Sequence, residues 1–231
     1  MKKIEKRGCC KQGPGITIYF GNKHTSTDIP SYGDISYFLG ADSLTVLRQV
    51  HGTGIYHVSG PFAGLSLFEH EGDALITNIP GCALGVRTAD CLPIILHDAH
   101  RNAIAVVHAG WRGSERGIAP LVLERMKKLF GTEPRDIRAY LGPAAHACCY
   151  EVQEGFGVQE EIIPRRGKLF FDNIAYNISQ LISHGVPRGS IDTSSSVCTI
   201  CNESHHSYRR EGDKSGRQVT AAVIQNSKHS P

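Results

Sequence analysis

The sequence lacks the features of membrane-spanning and secreted proteins. Its apolar runs are short, and the run at residues 92–96 is only five residues long, whereas a membrane-spanning helix needs about 20. Residues 1–7 are mostly basic but lead into no apolar core, so they do not have the pattern of a secretory signal. We therefore expect a cytoplasmic protein with no membrane partner.

The sequence also has little excess charge. Its formal net charge is +3 with a pI near 8.4, and it has no basic stripe interleaved with aromatic residues of the kind that binds nucleic acid. The nearest basic group comprises Arg209, Arg210, Lys214 and Arg217. That group fits either a solvated turn or a pocket for one phosphate, so we expect no nucleic-acid partner.

Eight cysteines are present, including the vicinal pairs Cys9–Cys10 and Cys148–Cys149. An even number of cysteines indicates disulfides only in an oxidising compartment, and vicinal cysteines are awkward partners for ordinary bridges. We therefore expect free thiols, most of them buried as small hydrophobic residues, or metal ligands.

The hydrophobic pattern predicts short strands intermixed with two helices. Strands are expected at residues 44–50, 55–58, 74–77, 82–86, 92–96, 103–107, 137–141 and 219–224, with residues 55–58 continuing the first strand after a glycine-rich bend and a loop at residues 60–72. One helix is expected to begin at an N-cap Ser114 and to end at Gly131, and a second to cover residues 172–184. This order predicts an α+β fold with mixed β-sheets flanked by helices. With no repeat and no linker, residues 1–231 are expected to form a single compact domain.

Three polar residues at the ends of apolar strands, or in tight loops beside them, are candidate metal ligands: His51, Cys91 and His108. Two imidazoles and one thiolate suit zinc and leave a fourth position open, as in catalytic zinc sites. Zinc would lower the pKa of a bound water to about 7. The three residues match no short-range zinc motif. Taken alone, they leave open the alternative that each is an ordinary hydrogen-bonded residue at a strand end.

Several short blocks, which run in order along most of the chain, resemble the YfiH family, also called the laccase-domain, multicopper polyphenol oxidase or peptidoglycan-editing-factor family. The blocks are Gln-Val-His-Gly at 49–52, Gly-Asp-Ala-Leu-Ile-Thr at 72–77, Thr-Ala-Asp-Cys-Leu-Pro-Ile at 88–94, His-Ala-Gly-Trp-Arg-Gly at 108–113, Leu-Gly-Pro at 141–143, Tyr-Glu-Val at 150–152, Cys-Thr at 198–199 and Ser-Tyr-Arg-Arg at 207–210. The resemblance implies a compact YfiH-like α+β domain, in which residues 1–43 form a divergent segment.

The resemblance also implies zinc as the cofactor, held by His51, Cys91 and His108. The activities that it implies are phosphorolysis of adenosine, inosine, guanosine and methylthioadenosine, and deamination of adenosine to inosine. The expected partners are therefore purine nucleosides and phosphate. The sequence does not indicate an oligomeric state.

Further roles can be assigned to residues near the expected ligands. Asp90, beside the catalytic candidate Cys91, could carry protons or could position a neighbouring group by a hydrogen bond. Arg112 and Arg209 are candidates for phosphate binding, because a guanidinium donates paired hydrogen bonds. Tyr208 is assigned to the same substrate site.

The sequence departs from the family pattern near its N-terminus. Family members usually carry a Thr-Arg-x-Gly-Gly stretch there, whereas residues 19–25 read Tyr-Phe-Gly-Asn-Lys-His-Thr. If the missing arginine holds an anion or a sugar, Lys23 could replace its charge but not its paired donors.

Three other functions are compatible with parts of the sequence. A copper oxidase is disfavoured, because a blue-copper site usually adds a weak methionine ligand. The chain has only two methionines, Met1 and Met126, and no His-x-His pair. A cysteine hydrolase, to which a peptidoglycan-editing role would belong, could use Cys91 as nucleophile and His108 as base.

The third alternative is a non-enzymatic zinc-binding protein, based on the pair Cys198-x-x-Cys201 followed by His205-His206. The separation is shorter than in the usual zinc finger. These residues are therefore interpreted as buried thiols and surface imidazoles rather than as a finger.

Overall fold

The computed structural model describes residues 8–24, 29–60 and 63–226, which form fifteen strands and five helices. The strands are β1 (Gly8–Gly13), β2 (Ile16–Gly21), β3 (Ser43–Arg48), β4 (Ile55–His57), β5 (Gly64–Glu71), β6 (Ala74–Thr77), β7 (Cys82–Thr88), β8 (Leu92–Asp98), β9 (Ala103–Ala109), β10 (Ile137–Leu141), β11 (Glu151–Val152), β12 (Ile162–Arg165), β13 (Lys168–Phe171), β14 (Ile191–Asp192) and β15 (Gln218–Ile224). The helices are α1 (Ile29–Leu39), α2 (Trp111–Glu115), α3 (Ile118–Phe130), α4 (Asn173–Ser183) and α5 (Tyr208–Glu211), with single 3-10 turns at Pro134–Asp136, Arg188–Ser190 and Gly212–Lys214.

Two six-stranded mixed sheets form the centre of the molecule. The first has the order β1-β2-β15-β7-β3-β5, in which the pairs β7–β3 and β3–β5 are parallel. The second has the order β14-β10-β8-β9-β6-β4, in which only the two edge pairs are parallel. A small sheet, β11-β13-β12, lies apart from both.

The two large sheets pack face to face through alternate residues of their strands. Ile18 and Leu84 from the first sheet lie in one buried cluster with Ile95 and Val106 from the second. Because neighbouring residues of a strand point to opposite faces, the other set of side chains is left to pack elsewhere.

Helices cover those outer faces. Helix α1 packs on the first sheet, where Leu39 joins Leu44 and Ala221. Helices α3 and α4 pack on the second sheet through residues such as Val122 and Leu181. The layers therefore run helix, sheet, sheet, helix, and the expected α+β fold with mixed sheets and flanking helices is confirmed.

Two expectations for the segment between residues 55 and 72 are wrong. Residues 55–58 do not continue β3, because β4 pairs with β6 in the other sheet. Most of the loop expected at 60–72 is the edge strand β5, which pairs with β3 alone among the strands that the structure describes. As an edge strand it is partly exposed, so it lacks the continuous apolar pattern of the buried strands.

The helix expected from Ser114 is also different. Two helices, α2 and α3, flank Gly117, which has a left-handed backbone conformation, and Ser114 lies inside α2 rather than at an N-cap. The predicted left-handed C-cap at Gly131 is confirmed. Helices α1 and α5 and the β12–β13 hairpin were not expected.

Three further expectations concern membrane spans, disulfides and the N-terminal residues. No helix in the described part of the chain is long and apolar enough to cross a membrane. All eight cysteines lie within the described residues, and all are free, but only Cys82 and Cys198 are buried, so the expectation that most of them are buried is wrong. Met1 and the basic residues 1–7 lie outside the described residues.

Candidate metal and substrate site

The fold brings His51, Cys91 and His108 together at one end of the two sheets. His51 lies in the turn after β3, Cys91 immediately precedes β8, and His108 lies in β9 opposite Pro93. One side-chain ligand atom from each of the three lies within 4.8 Å of the others. His51 is exposed, whereas His108 is only 3% exposed. The three donors thus form a group whose His51 side is open to solvent.

Asp73, just before β6, ties two of these residues together. Its carboxylate lies 2.8 Å from Nδ1 of His108 and accepts hydrogen bonds from the backbone N–H groups of His51 at 2.9 Å and Gly52 at 2.6 Å. These bonds hold His51 in a left-handed conformation with φ of 58°, which non-glycine residues rarely adopt. Because Nδ1 of His108 is occupied, its Nε2 is the nitrogen left for a ligand. The sequence analysis missed Asp73 as a functional residue.

The charges of the group favour a thiolate. Burial would raise the pKa of Cys91, but the neighbouring His108 and His51 lower it to about 6. Burial would lower the pKa of His108, but Cys91 and the Asp73 carboxylate raise it to about 9. Since a metal binds the thiolate rather than the thiol, the site already stabilises the form of Cys91 that ligation requires.

Gly110 leaves the room that the three side chains occupy. A Cβ atom at this position would lie 3.1 Å from Sγ of Cys91 and 3.4 Å from Cδ2 of His51. The absence of a side chain at Gly110 therefore lets the backbone approach the donor group closely.

We expect Gly110→Ala to lower metal affinity by roughly 10-fold, the lower end of the range for changes around a metal site. The added methyl group would displace the thiolate sulfur by a few tenths of an ångström. Metal titration of the purified variant measures the effect. Gly189→Ala is the matched control, since a Cβ there would contact nothing within 4 Å. Equal affinities for the two variants would contradict this role of Gly110.

The donor group opens into a cleft of about 470 Å³. Cationic, aromatic and polar side chains line it: Gln49, His51, Arg87, Ala89, Asp90, Cys91, His108, Trp111, Arg112, Tyr150, Tyr208, Arg209 and Arg217. The structure therefore brings all the sequence-predicted site residues into one cleft. It adds Gln49, Arg87, Ala89, Trp111 and Tyr150, to which the sequence analysis assigned no role, and it includes Arg217, which belongs to the basic group that could form a phosphate pocket.

Four arginines give the cleft a strong positive charge. They are Arg87, Arg112, Arg209 and Arg217, and within the described residues none of them forms an ion pair with a carboxylate. The guanidinium carbon of Arg112 lies 4.4 Å from the centre of the Trp111 ring. Arg209 donates to the carbonyl of Glu151 at 2.7 Å and packs over Tyr150. The guanidinium groups are thus held by rings and carbonyls and keep their charge available to an anion.

Asp90 is the one carboxylate among the described residues that line the cleft, and both its oxygens are engaged. One accepts a hydrogen bond from Oγ1 of Thr199 at 2.7 Å, and the other accepts one from the backbone N–H of Arg209 at 2.7 Å. Its φ of 82° is also in the left-handed region. These contacts couple the segment that carries Cys91 to the segment that carries Arg209.

Lys23 does not line the cleft. Its ammonium group lies 2.5 Å from the carboxylate of Glu211 in a partly exposed ion pair. Within the described residues, the cationic groups at the cleft are the four arginines, so Arg87 and Arg217 are better placed than Lys23 to hold an anion there.

Comparison with known proteins places this chain in a family. The family model described as multi-copper polyphenol oxidoreductase laccase matches residues 35–225, so the chain belongs to that family. The fold is similar to that of YfiH from Bacillus licheniformis, with a TM-score of 0.78 and 24% identity over 94% of this chain and 99% of that one. YlmD from Geobacillus stearothermophilus gives the same TM-score and identity, over 92% of this chain and 93% of that one. The resemblance to the YfiH family is confirmed.

Curated relatives of the chain have names that state an activity. A purine nucleoside phosphorylase of Bacteroides thetaiotaomicron is 34% identical over 203 residues, which cover 79% of this chain and 74% of that protein. The adenosine deaminase RL5, from an unknown prokaryotic organism, is 36% identical over 196 residues, which cover 78% of this chain and 74% of that protein.

Proposed function

We propose that this protein is a zinc-dependent purine nucleoside enzyme. It phosphorolyses adenosine, inosine, guanosine and methylthioadenosine to the free base and the sugar 1-phosphate, and it deaminates adenosine to inosine. The observation that carries the proposal is the convergence of His51, Cys91 and His108 at a cleft with four arginines and three aromatic rings. The names of the relatives from Bacteroides thetaiotaomicron and of RL5 support the same substrate class.

The donor set fits zinc better than copper. Two histidines and a cysteine with an open side match a catalytic zinc site. A blue-copper site would usually add a methionine, yet Met126 lies on α3 and is fully buried in the core. When bound, zinc would act as a Lewis acid and would lower the pKa of a water bound to it to about 7.

The other residues of the chain bind and orient the substrates. The carboxylate of Asp73 fixes the ring of His108, as carboxylates beside ligating histidines do. Trp111, Tyr150 and Tyr208 offer ring faces against which a purine can stack. The arginines hold phosphate near the sugar, because guanidinium groups donate paired hydrogen bonds to it.

Asp90 acts as a positioning residue in this proposal. With both oxygens accepting short hydrogen bonds from Thr199 and Arg209, it fixes the backbone on either side of the cleft. This is one of the two roles that the sequence left open for Asp90.

A nucleoside panel with and without phosphate tests the proposal on metal-analysed protein. Free base and sugar 1-phosphate that appear only with phosphate establish phosphorolysis, and inosine from adenosine without phosphate establishes deamination. If fully zinc-loaded protein yields neither set of products, the proposed function is wrong.

We expect Arg112→Ala to raise the KM for phosphate by roughly 10-fold or more. A hydrogen bond to a charged group contributes about 1.5–3 kcal/mol, and about 1.4 kcal/mol corresponds to tenfold. Initial rates over a phosphate series provide the measurement. The neighbouring Arg116→Ala serves as the control, since Arg116 is exposed and does not line the cleft. The same KM in both variants would exclude phosphate binding by Arg112.

A cysteine hydrolase is the second candidate function, and one arrangement favours it. In that function the Cys91 thiolate would be the nucleophile and the neighbouring His108 ring would be the base. The Asp73 carboxylate would orient the ring through its contact with Nδ1. Complete zinc removal with a chelator separates the two functions. Activity that survives removal supports the thiol mechanism, whereas activity that is lost and returns with zinc supports the metal mechanism.

A further inference from the structure

Four cysteines far apart in the chain form a second cluster, distinct from the donor group of the cleft. Cys148 and Cys149 lie in the turn between β10 and β11, and Cys198 and Cys201 lie in the turns after β14. The two segments are joined by a β-bridge between Ala144 and Cys198. All four sulfur atoms lie within 4.8 Å of one another, and those of Cys148 and Cys201 are 4.0 Å apart.

We propose that Cys148, Cys149, Cys198 and Cys201 bind one zinc ion as a closed tetrathiolate site with a structural role. This inference is independent of the proposed activity, because it concerns a different set of residues and a different consequence of metal binding.

The spacing of the sulfur atoms fits a single ion. A Zn–S bond of about 2.3 Å in tetrahedral geometry sets neighbouring sulfurs about 3.8 Å apart. The four sulfurs already lie within 4.8 Å of one another, so they would have to move only slightly closer to bind one ion. Thiolates on the different irons of an iron–sulfur cluster lie farther apart than thiolates on one ion. A disulfide requires about 2.05 Å between sulfurs, and none of the four forms one.

The turn at Cys198–Cys201 is arranged to hold a thiolate. The backbone N–H groups of Cys201, His146 and Ile200 and the thiol of Cys148 lie near the sulfur of Cys198 and favour its charged form. Backbone donors aimed at a cysteine sulfur stabilise the charge that a metal ligand must carry.

The histidines that follow this turn in the sequence do not join the cluster. The ring of His206 faces Glu211, with Nδ1 at 3.8 Å from the carboxylate, and the cluster contains cysteines only. The interpretation of Cys201 as a buried thiol is wrong, since it is exposed. In the proposed site, the pair Cys198-x-x-Cys201 is therefore completed by the vicinal pair Cys148–Cys149 and not by His205 and His206.

Four protein ligands leave no open position, so the ion would have no direct part in the reaction. It would instead fix two segments that form the wall of the cleft. Tyr150, next to Cys149, lines the cleft. Thr199, between the paired cysteines, donates to Asp90, and Arg210 donates to the carbonyls of Thr199 and Ile200.

Metal analysis of three proteins tests the proposal. Wild type is expected to hold about one equivalent of zinc more than Cys201→Ser, whatever the first site contains. Cys9→Ser is the matched control, because Cys9 is also exposed and lies outside the cluster, and it should retain the wild-type content. Cobalt substitution of wild type and Cys9→Ser should give the charge-transfer and d–d bands of a tetrathiolate, which Cys201→Ser should lack.

A measurement on wild type covers the case in which Cys201→Ser fails to fold. With metal bound, Cys148 and Cys201 should resist alkylation although they are exposed, while Cys9 should react. Chelation should make Cys148 and Cys201 react as well, and mass spectrometry records the alkylated residues. Equal zinc contents in wild type and Cys201→Ser, bound iron with acid-labile sulfide, or disulfides among the four cysteines in freshly purified protein would each overturn the proposal. Because the readout is metal content rather than activity, its failure is separate from failure of the proposed enzyme function.

Discussion

Cys91→Ala is expected to lose the metal of the cleft and to lower kcat/KM for nucleosides by at least about 10³-fold. Of the three donors, Cys91 is the one that brings a negative charge. Without it, two imidazoles remain, and two ligands are too few for a stable zinc site. A catalytic metal supplies several kcal/mol of transition-state stabilisation, and about 4 kcal/mol corresponds to roughly 10³-fold in rate. Metal analysis and initial rates on the same preparation measure both effects.

Two further variants of this experiment separate a ligand from a nucleophile. Cys9→Ala controls for loss of any exposed thiol and should behave as wild type. Cys91→His replaces the thiolate by a third imidazole, a set that also binds zinc, so it should recover metal and part of the activity. A Cys91→Ala protein that keeps metal and rate would exclude Cys91 from the site. A metal-loaded but inactive Cys91→His protein would instead favour the thiol mechanism.

The donors His51, Cys91 and His108 could be proposed from the sequence, because each is a polar residue at or beside the end of a short apolar segment. Strands of that kind are buried, and their ends are the places where a rigid core can direct a side chain into a shared site. The core strands were predicted for the same reason, since β7, β8 and β9 are continuous apolar runs.

Asp73 could not be recognised in the same way, because its role depends on which strands pair. Strand β6 lies beside β9 with Ala74 opposite Val107, and only that register places Asp73 next to His108. The position of Arg217 beside Arg87 in the cleft also depends on strand pairing, since β15 pairs with β7 and sets Val219 opposite Arg87. Pairings between such distant segments are not encoded in any local pattern.

The edge strand β5 and the four-cysteine cluster show the same limit. Strand β5 is half exposed and has a neighbour on one side only, so its apolar pattern is weak. The cluster unites two cysteine pairs, neither of which indicates a metal site by itself. The bridge between Ala144 and Cys198 brings them together.

The Asp73→Asn variant should bind metal roughly 10- to 100-fold more weakly, the usual cost of removing a partner of a ligating histidine. It should also lower the free energy of unfolding by about 2–4 kcal/mol, because a fully buried carboxylate that accepts charged and backbone hydrogen bonds is lost. An amide oxygen can accept either from the ring of His108 and the N–H of His51 or from the N–H of Gly52, and in either orientation the NH₂ group faces a donor on the other side. Metal titration and denaturant unfolding measure the two effects.

Asp98→Asn is the matched control for that pair of measurements. Asp98 is also fully buried and also accepts two backbone hydrogen bonds, from His100 and Arg101. It lies at the end of β8 that is opposite Cys91. The control should therefore keep its metal affinity, because no ligand depends on it and an amide oxygen can still accept both backbone hydrogen bonds at this position. If both variants bind metal equally well, Asp73 serves only to hold the fold, and the link that it makes between His51 and His108 has no part in tuning the site.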